Sequence, residues 1–136
     1  MESITVETEV NAGIKKVWDY WTNPLHIFHW NFASDDWHCP SAENDPRVGG
    51  SFKYNMASRD GKFSFDFEGI YNEIETEKMI AYELGDGRRV TILFTDLGNK
   101  SKIVETFDPE NTNPVEMQRG GWQSILDNFR KYTENN

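Results

Sequence analysis

Pro114-Val115-Glu116-Met117-Gln118-Arg119-Gly120-Gly121-Trp122-Gln123-Ser124-Ile125-Leu126-Asp127-Asn128-Phe129-Arg130-Lys131-Tyr132 is the stretch on which the fold turns. Within it Gln118, Trp122, Ile125, Phe129 and Tyr132 recur at steps of four, three, four and three. Steps of that size keep side chains on one side of a 3.6-residue helix, so the spacing predicts a long amphipathic helix. Pro114 suits its start, where a missing backbone N–H costs no hydrogen bond. Gly120 and Gly121 fall mid-helix, where each costs about 1 kcal/mol relative to Ala. Either close packing or room for a guest must offset that cost.

Working back from the helix, the chain alternates with period two. Ile103, Glu105 and Phe107 form one set, Val90, Ile92 and Phe94 the next, and Ile80, Tyr82 and Leu84 another. Phe63, Phe65 and Phe67 share a face against Ser64, Asp66 and Glu68, and Phe52, Tyr54 and Met56 share one before them. Such alternation reads as half-buried strands. Asp60-Gly61, Asp86-Gly87 and Gly98-Asn99 read as the turns between them. Residues 31–50 are loop-rich, with Pro40, Pro46 and Gly49-Gly50; Trp37 and Cys39 mark one short strand inside them. The glycine pair reads as a bulge or tight approach to a strand rather than a phosphate cradle. At the start, Ile4, Val6 and Val10 alternate as a strand, and Asn11 is a candidate cap for a helix over about 12–22, ended by Pro24. Leu25 to Trp30 add a second short helical segment.

The order is therefore one strand, two short helices, an antiparallel meander and one long helix, with no repeat or linker, and residues 1–136 read as a single domain. A meander with one apolar face needs a cover, and the long helix is the only element able to supply it. This predicts an α+β fold with the helix lying across the concave face of a curved sheet. The phenylalanine stripe then has two readings: it fills a solid core, or it walls a cavity between sheet and helix.

Several segments, in order along the whole chain, resemble one family. They are Val17-Trp18 with Thr22-Asn23-Pro24, Arg47-Val48-Gly49-Gly50-Ser51-Phe52, Phe67-Glu68-Gly69-Ile70-Tyr71, Glu105-Thr106-Phe107-Asp108-Pro109-Glu110, and Gln118-Arg119-Gly120-Gly121-Trp122-Gln123-Ser124-Ile125-Leu126. Together they resemble bacterial homologues of the C-terminal domain of the heat-shock-protein-90 ATPase activator, within the START-like (SRPBCC) superfamily. The resemblance implies the helix-grip, birch-pollen-allergen-like fold, with a cavity between sheet and long helix. It says little about activity, because that scaffold hosts lipid carriers, receptors, cyclases and co-chaperone domains alike.

Composition removes other classes. With 37% apolar and 27% charged residues the chain matches neither disordered nor fibrous types. A net charge of −9 without a basic stripe opposes nucleic acid and anionic membrane surfaces. No apolar run is long enough to span a bilayer. The acidic, alternating N-terminus is unlike a signal peptide, and the single cysteine excludes an internal disulfide, so the cytoplasm is the expected location. Free sheet edges allow either a monomer or a homodimer.

Candidate chemistry is sparse. His26-x-x-His29 could place two imidazoles on one helical turn, but His38 and Cys39 are adjacent and point apart on a strand, and no strong zinc spacing exists. No metal and no cofactor are expected. Cys39 lacks an evident base, which argues against a nucleophile. The acidic loop residues Asp35, Asp36, Glu43 and Asp45 read as solvated. Glu105 alternates with Ile103 and Phe107. If that face is concave, a carboxylate stands in an apolar cavity, able to act as a base or grip a polar ligand group; if Val104 and Thr106 face inward, it is solvated.

Three functions follow. The first is non-enzymatic binding of a small apolar or amphipathic molecule, lined by Trp30, Trp37, Tyr54, Phe65, Phe67, Met117, Gln118, Gly121, Trp122 and Ile125. The second is an enzyme of the polyketide-cyclase or hydrolase type, with Glu105 as its catalytic group and Gln118 as partner. The third, implied only by the resemblance, is a co-chaperone-like interaction domain; the activator carries a further N-terminal domain that a single-domain chain is expected to lack.

Overall fold

The computed structural model describes residues 2–136. In chain order the elements are β1 (Ile4–Val10), α1 (Ile14–Thr22), α2 (Pro24–Trp30), β2 (Trp37–Asn44), β3 (Ser51–Ser58), β4 (Ser64–Glu75), β5 (Met79–Leu84), β6 (Arg89–Asp96), β7 (Ser101–Phe107) and α3 (Val115–Asn135). All seven strands join one antiparallel sheet in the order β1-β7-β6-β5-β4-β3-β2. The sheet curls into a half-barrel around α3, the α+β helix-grip arrangement.

Period-two burial is clean in β5, β6 and β7, where Ile80, Tyr82, Leu84, Val90, Ile92, Phe94, Ile103 and Phe107 are buried. Twist and bulges supply the curl. The register shifts between Tyr71 and Glu73 in β4, and between His38 and Ser41 in β2. Pro40 sits inside the second bulge, where its missing N–H breaks no ladder bond. Strand β2 runs on to Asn44 and is longer than the short strand read from Trp37 and Cys39.

The helices hold the curl shut. Asn23 caps α2, its side chain accepting from the Leu25 amide at 3.0 Å, and Pro24 opens that helix. Helix α1 starts later than expected: Gly13, not Asn11, is its N-cap, without a side-chain bond. The Asn11 amide instead donates to the Glu134 carboxylate at the end of α3. Helix α3 buries Gln118, Leu126, Phe129 and Thr133. Its Arg119 and Gln123 donate to the carbonyls of Thr5 and Glu7, so side chains of the helix occupy part of the free edge of β1. Trp21 and Trp30 pack edge-on against Phe129, closing the far end.

Two glycine positions are tight. A Cβ at Gly69 would stand 2.7 Å from the Glu83 carbonyl and 3.0 Å from the Phe52 ring. A Cβ at Gly50 would stand 2.2 Å from the Asp45 carbonyl, which is the tight approach read from the Gly49-Gly50 pair. The phenylalanine stripe is not solid core along its length. Phe63 precedes β4 and is 66% exposed, Phe65 is 52% exposed, and only Phe67 packs against the core.

Candidate functional site

Beneath Trp122 and Ile125 of α3, the concave face leaves a cavity of about 250 Å³. Its floor is aromatic: Phe52 and Tyr54 from β3, Phe67 and Tyr71 from β4, and Tyr82 from β5. Ile80 and Ile92 add aliphatic wall, and Trp21, Trp30 and Asn31 close the end nearest α1 and α2. The rings brace one another. Phe52 lies edge-on to Tyr82 at 4.7 Å, Phe67 edge-on to Trp122 at 5.9 Å, and Trp122 stacks on Phe107 at 3.9 Å. Rings held this way define a fixed wall.

One carboxyl faces this wall. Glu105 takes the inward position on β7 and is 6% exposed. Its register neighbours are Val6 on β1 and Ile92 on β6, both buried and apolar, so no cross-strand partner is available. No protein group hydrogen-bonds or ion-pairs with it among the described residues. Among them, the one wholly enclosed side-chain polar atom without a partner is Thr133 Oγ1. The Glu105 oxygens are therefore not sealed in protein, and the residue lines the cavity. Burial alone pushes its carboxyl up to about 8, so it is largely protonated at neutral pH.

Several of the other polar groups are engaged within the protein. The Tyr71 hydroxyl donates to Asn44 Oδ1 at 2.5 Å, and burial raises its phenol to about 12. Tyr54 lies beside Tyr71, and burial holds it and Tyr82 well above the ordinary phenol range; for Tyr82 the nearby Glu105 adds to the effect. Arg88 reaches the rim, with Nε 2.7 Å from Asp86 Oδ2. Asn31 donates to Met56 Sδ.

An outer groove of about 300 Å³ adjoins the cavity and shares Met56, Phe65, Trp122 and Ile125 with it. Of the residues singled out from sequence, Trp30, Tyr54, Phe65, Phe67, Glu105, Trp122 and Ile125 line the inner cavity. Trp37, Met117, Gln118 and Gly121 line only the outer groove. Met117 is 62% exposed there, beside Phe65, so the mouth is rimmed with apolar surface. A Cβ at Gly120 or Gly121 would meet nothing within 4 Å, so close packing is not what offsets these glycines.

Gln118 is not a partner for Glu105. Its amide oxygen accepts from the Glu110 amide, and its nitrogen donates to the Glu110 and Asn113 carbonyls. It fastens the loop before α3. Trp21, Asn31, Phe52, Met56, Tyr71, Ile80, Tyr82, Arg88 and Ile92 line the cavity as well, beyond the residues singled out from sequence. The periodicity of Phe52 and Tyr82 carries that signal; Asn31 and Arg88 sit in a loop and a turn, where no period operates. Nor do the other candidates converge. His26 Nδ1 lies 2.8 Å from the Tyr132 hydroxyl and His29 stacks on the same ring. Cys39 Sγ donates to the Ser41 carbonyl, and burial lifts its thiol to about 11. Among the described residues no three His, Cys, Asp or Glu side chains form a metal-holding group.

The family model described as Activator of Hsp90 ATPase homolog 1-like protein matches residues 11–134. The chain belongs to that family. Among solved structures, the AHSA1-like protein of Aeromonas hydrophila, determined in solution, is 38% identical, with a TM-score of 0.91 over 98% of this chain and 92% of that one. A solution structure from Cytophaga hutchinsonii is 54% identical, with a TM-score of 0.84 over 98% and 93%. A crystal structure from Chromobacterium violaceum, 22% identical with a TM-score of 0.88 over the full length of both chains, shares the fold. No curated protein matches the chain. Among the described residues no helix of this AHSA1-like chain is long and apolar enough to cross a membrane.

Proposed function

We propose that this AHSA1-like domain binds a small amphipathic molecule between its sheet and α3. Its apolar body lies among Phe67, Tyr82 and Trp122, and its polar end meets Glu105. The observation that carries this reading is the Glu105 carboxyl, which opens on an apolar cavity without a protein partner. A buried ionisable group left unpartnered costs several kcal/mol, and a ligand group offsets that cost. The volume sits just under the roughly 300–1,000 Å³ of drug-sized sites, which favours a guest of around ten heavy atoms, with the outer groove as its way in.

The test uses freshly isolated protein. Native mass spectrometry is expected to show an adduct that organic extraction removes, and 2-phenylethanol is expected to change tryptophan fluorescence saturably. No adduct and no saturable change would end this reading. The carboxyl near 8 also supports a second reading, proton transfer to or from a bound guest, because a group titrating near ambient pH serves as acid and base. Glu105→Gln would then abolish turnover of any identified substrate while its binding persisted.

A further inference from the structure

The surroundings of Glu105 narrow the chemistry that a guest's polar end can carry. Neutral hydroxyl ligands need only one hydrogen bond and no charge. The arrangement here is different: one acidic group shares the cavity with the rings of Phe52, Tyr54, Phe67, Tyr71, Tyr82 and Trp122, and among the described residues no basic side chain is paired to it. Aromatic faces attract cations, most strongly where water is excluded. The Arg88 charge is answered by Asp86 at 2.7 Å on the turn, and among the described residues Glu105 has no ion partner. A cationic guest therefore meets a complementary acid and complementary rings, whereas an anionic guest meets the acid and the negative ring faces.

Resting on the proposed cavity function, we infer that the ligand class is a small protonated amine on an aromatic or aliphatic body, its ammonium against Glu105 and its body under Trp122. Its seat is also its selectivity. An ammonium can donate to both carboxylate oxygens and still present its carbon-bound face to Tyr82 and Phe67. A neutral alcohol of the same shape forfeits the charge interaction, and a carboxylate is repelled once Glu105 is ionised.

Binding of the cation requires an ionised Glu105, so below about pH 8 one proton passes from Glu105 to buffer as the amine enters. Other groups facing the cavity do not confuse this. Tyr54 on β3, Tyr71 on β4 and Tyr82 on β5 all titrate above their usual range, and Arg88 stays charged. Helices α1, α2 and α3 contribute Trp21, Trp30, Trp122 and Ile125, none titratable, and the flanking strands contribute Val6 and Ile92.

The experiment is isothermal titration of the full chain with 2-phenylethylamine, 2-phenylethanol and phenylacetate, each at pH 6.5 and 8.5, in two buffers of different ionisation heat. With Glu105 near 8, its ionised fraction rises roughly 25-fold across that range, and the amine's affinity rises with it. The amine is expected to release one proton at pH 6.5, the alcohol to bind with no pH dependence, and phenylacetate to bind weakest at pH 8.5, where Glu105 is mostly ionised. Glu105→Gln is expected to lose both the amine's advantage over the alcohol and its pH dependence; the wild-type pH series stands without the variant should it fail to fold. An amine that binds no tighter than the alcohol at pH 8.5, or without pH dependence, overturns the amine assignment and leaves the cavity function standing. Failure of both amine and alcohol to bind overturns the two together.

Discussion

Replacing Glu105 with Gln separates the cost of the carboxyl's charge from everything else it does. In the unfolded chain this carboxyl titrates near 4.5; in the fold burial moves it to about 8. The folded state therefore holds the proton more tightly, and the native protein is favoured at low pH. As pH rises from 4.5 through 8 the unfolded chain ionises first, and stability falls. Above the folded value the whole difference is lost, about 5 kcal/mol, since each tenfold change in proton affinity is worth about 1.4 kcal/mol. The same relation gives a cost of about 1 kcal/mol at pH 5 and about 3 kcal/mol at pH 7. Glutamine is nearly isosteric and never charges. Its advantage over wild type in urea unfolding is expected to widen by about 4 kcal/mol between pH 5 and pH 9. Burying the neutral amide adds an offset common to every pH, so the slope carries the signal. A gap that stays constant with pH, or one that narrows as pH rises, refutes the reasoning that Glu105 stands dry and unpartnered.

Other outcomes test neighbouring parts of the account. Gly121→Ala and Gly120→Ala should each raise stability by about 1 kcal/mol, read as a higher thermal midpoint, because the added methyl meets open space. Gly69→Ala should lower it by about 1–3 kcal/mol, since its methyl would collide with the Glu83 carbonyl and the Phe52 ring. Gln118→Ala should lower stability by about 1–3 kcal/mol through three lost hydrogen bonds to Glu110 and Asn113, while 2-phenylethanol affinity holds; a selective loss of affinity would place Gln118 in the cavity after all. Cys39 should resist thiol reagents at neutral pH until the protein unfolds, because burial keeps its thiol near 11; rapid labelling of native protein would contradict that environment.

The helix and the meander are visible in the sequence because each has one apolar face and one period. Gln118, Trp122, Ile125, Phe129 and Tyr132 announce α3, and Ile103, Glu105 and Phe107 announce β7. Periodicity cannot say which set faces in when one member is a carboxylate, and that depended on the pairing of β7 between β1 and β6. Nor can it see where a sheet stops being covered. Phe65 continues the stripe of Phe67, yet stands at the mouth with Trp37 and Met117, where it remains 52% exposed. Gln118 shows the opposite limit. It occupies the inward stripe, but its amide serves the loop at Glu110, a contact made by chain geometry rather than by spacing. Arg88 and Asn31 enter the site from irregular segments, where only the folded chain reveals direction.

The most direct test of a guest-accepting cavity is an NMR titration of isotope-labelled protein with 2-phenylethanol, followed by intermolecular Overhauser effects. Saturable shifts, with cross-peaks from the guest ring to Phe67, Tyr82 and Trp122, are the expected result. Cross-peaks restricted to Trp37 and Met117 on the outer groove, or no saturable shift anywhere, would contradict it.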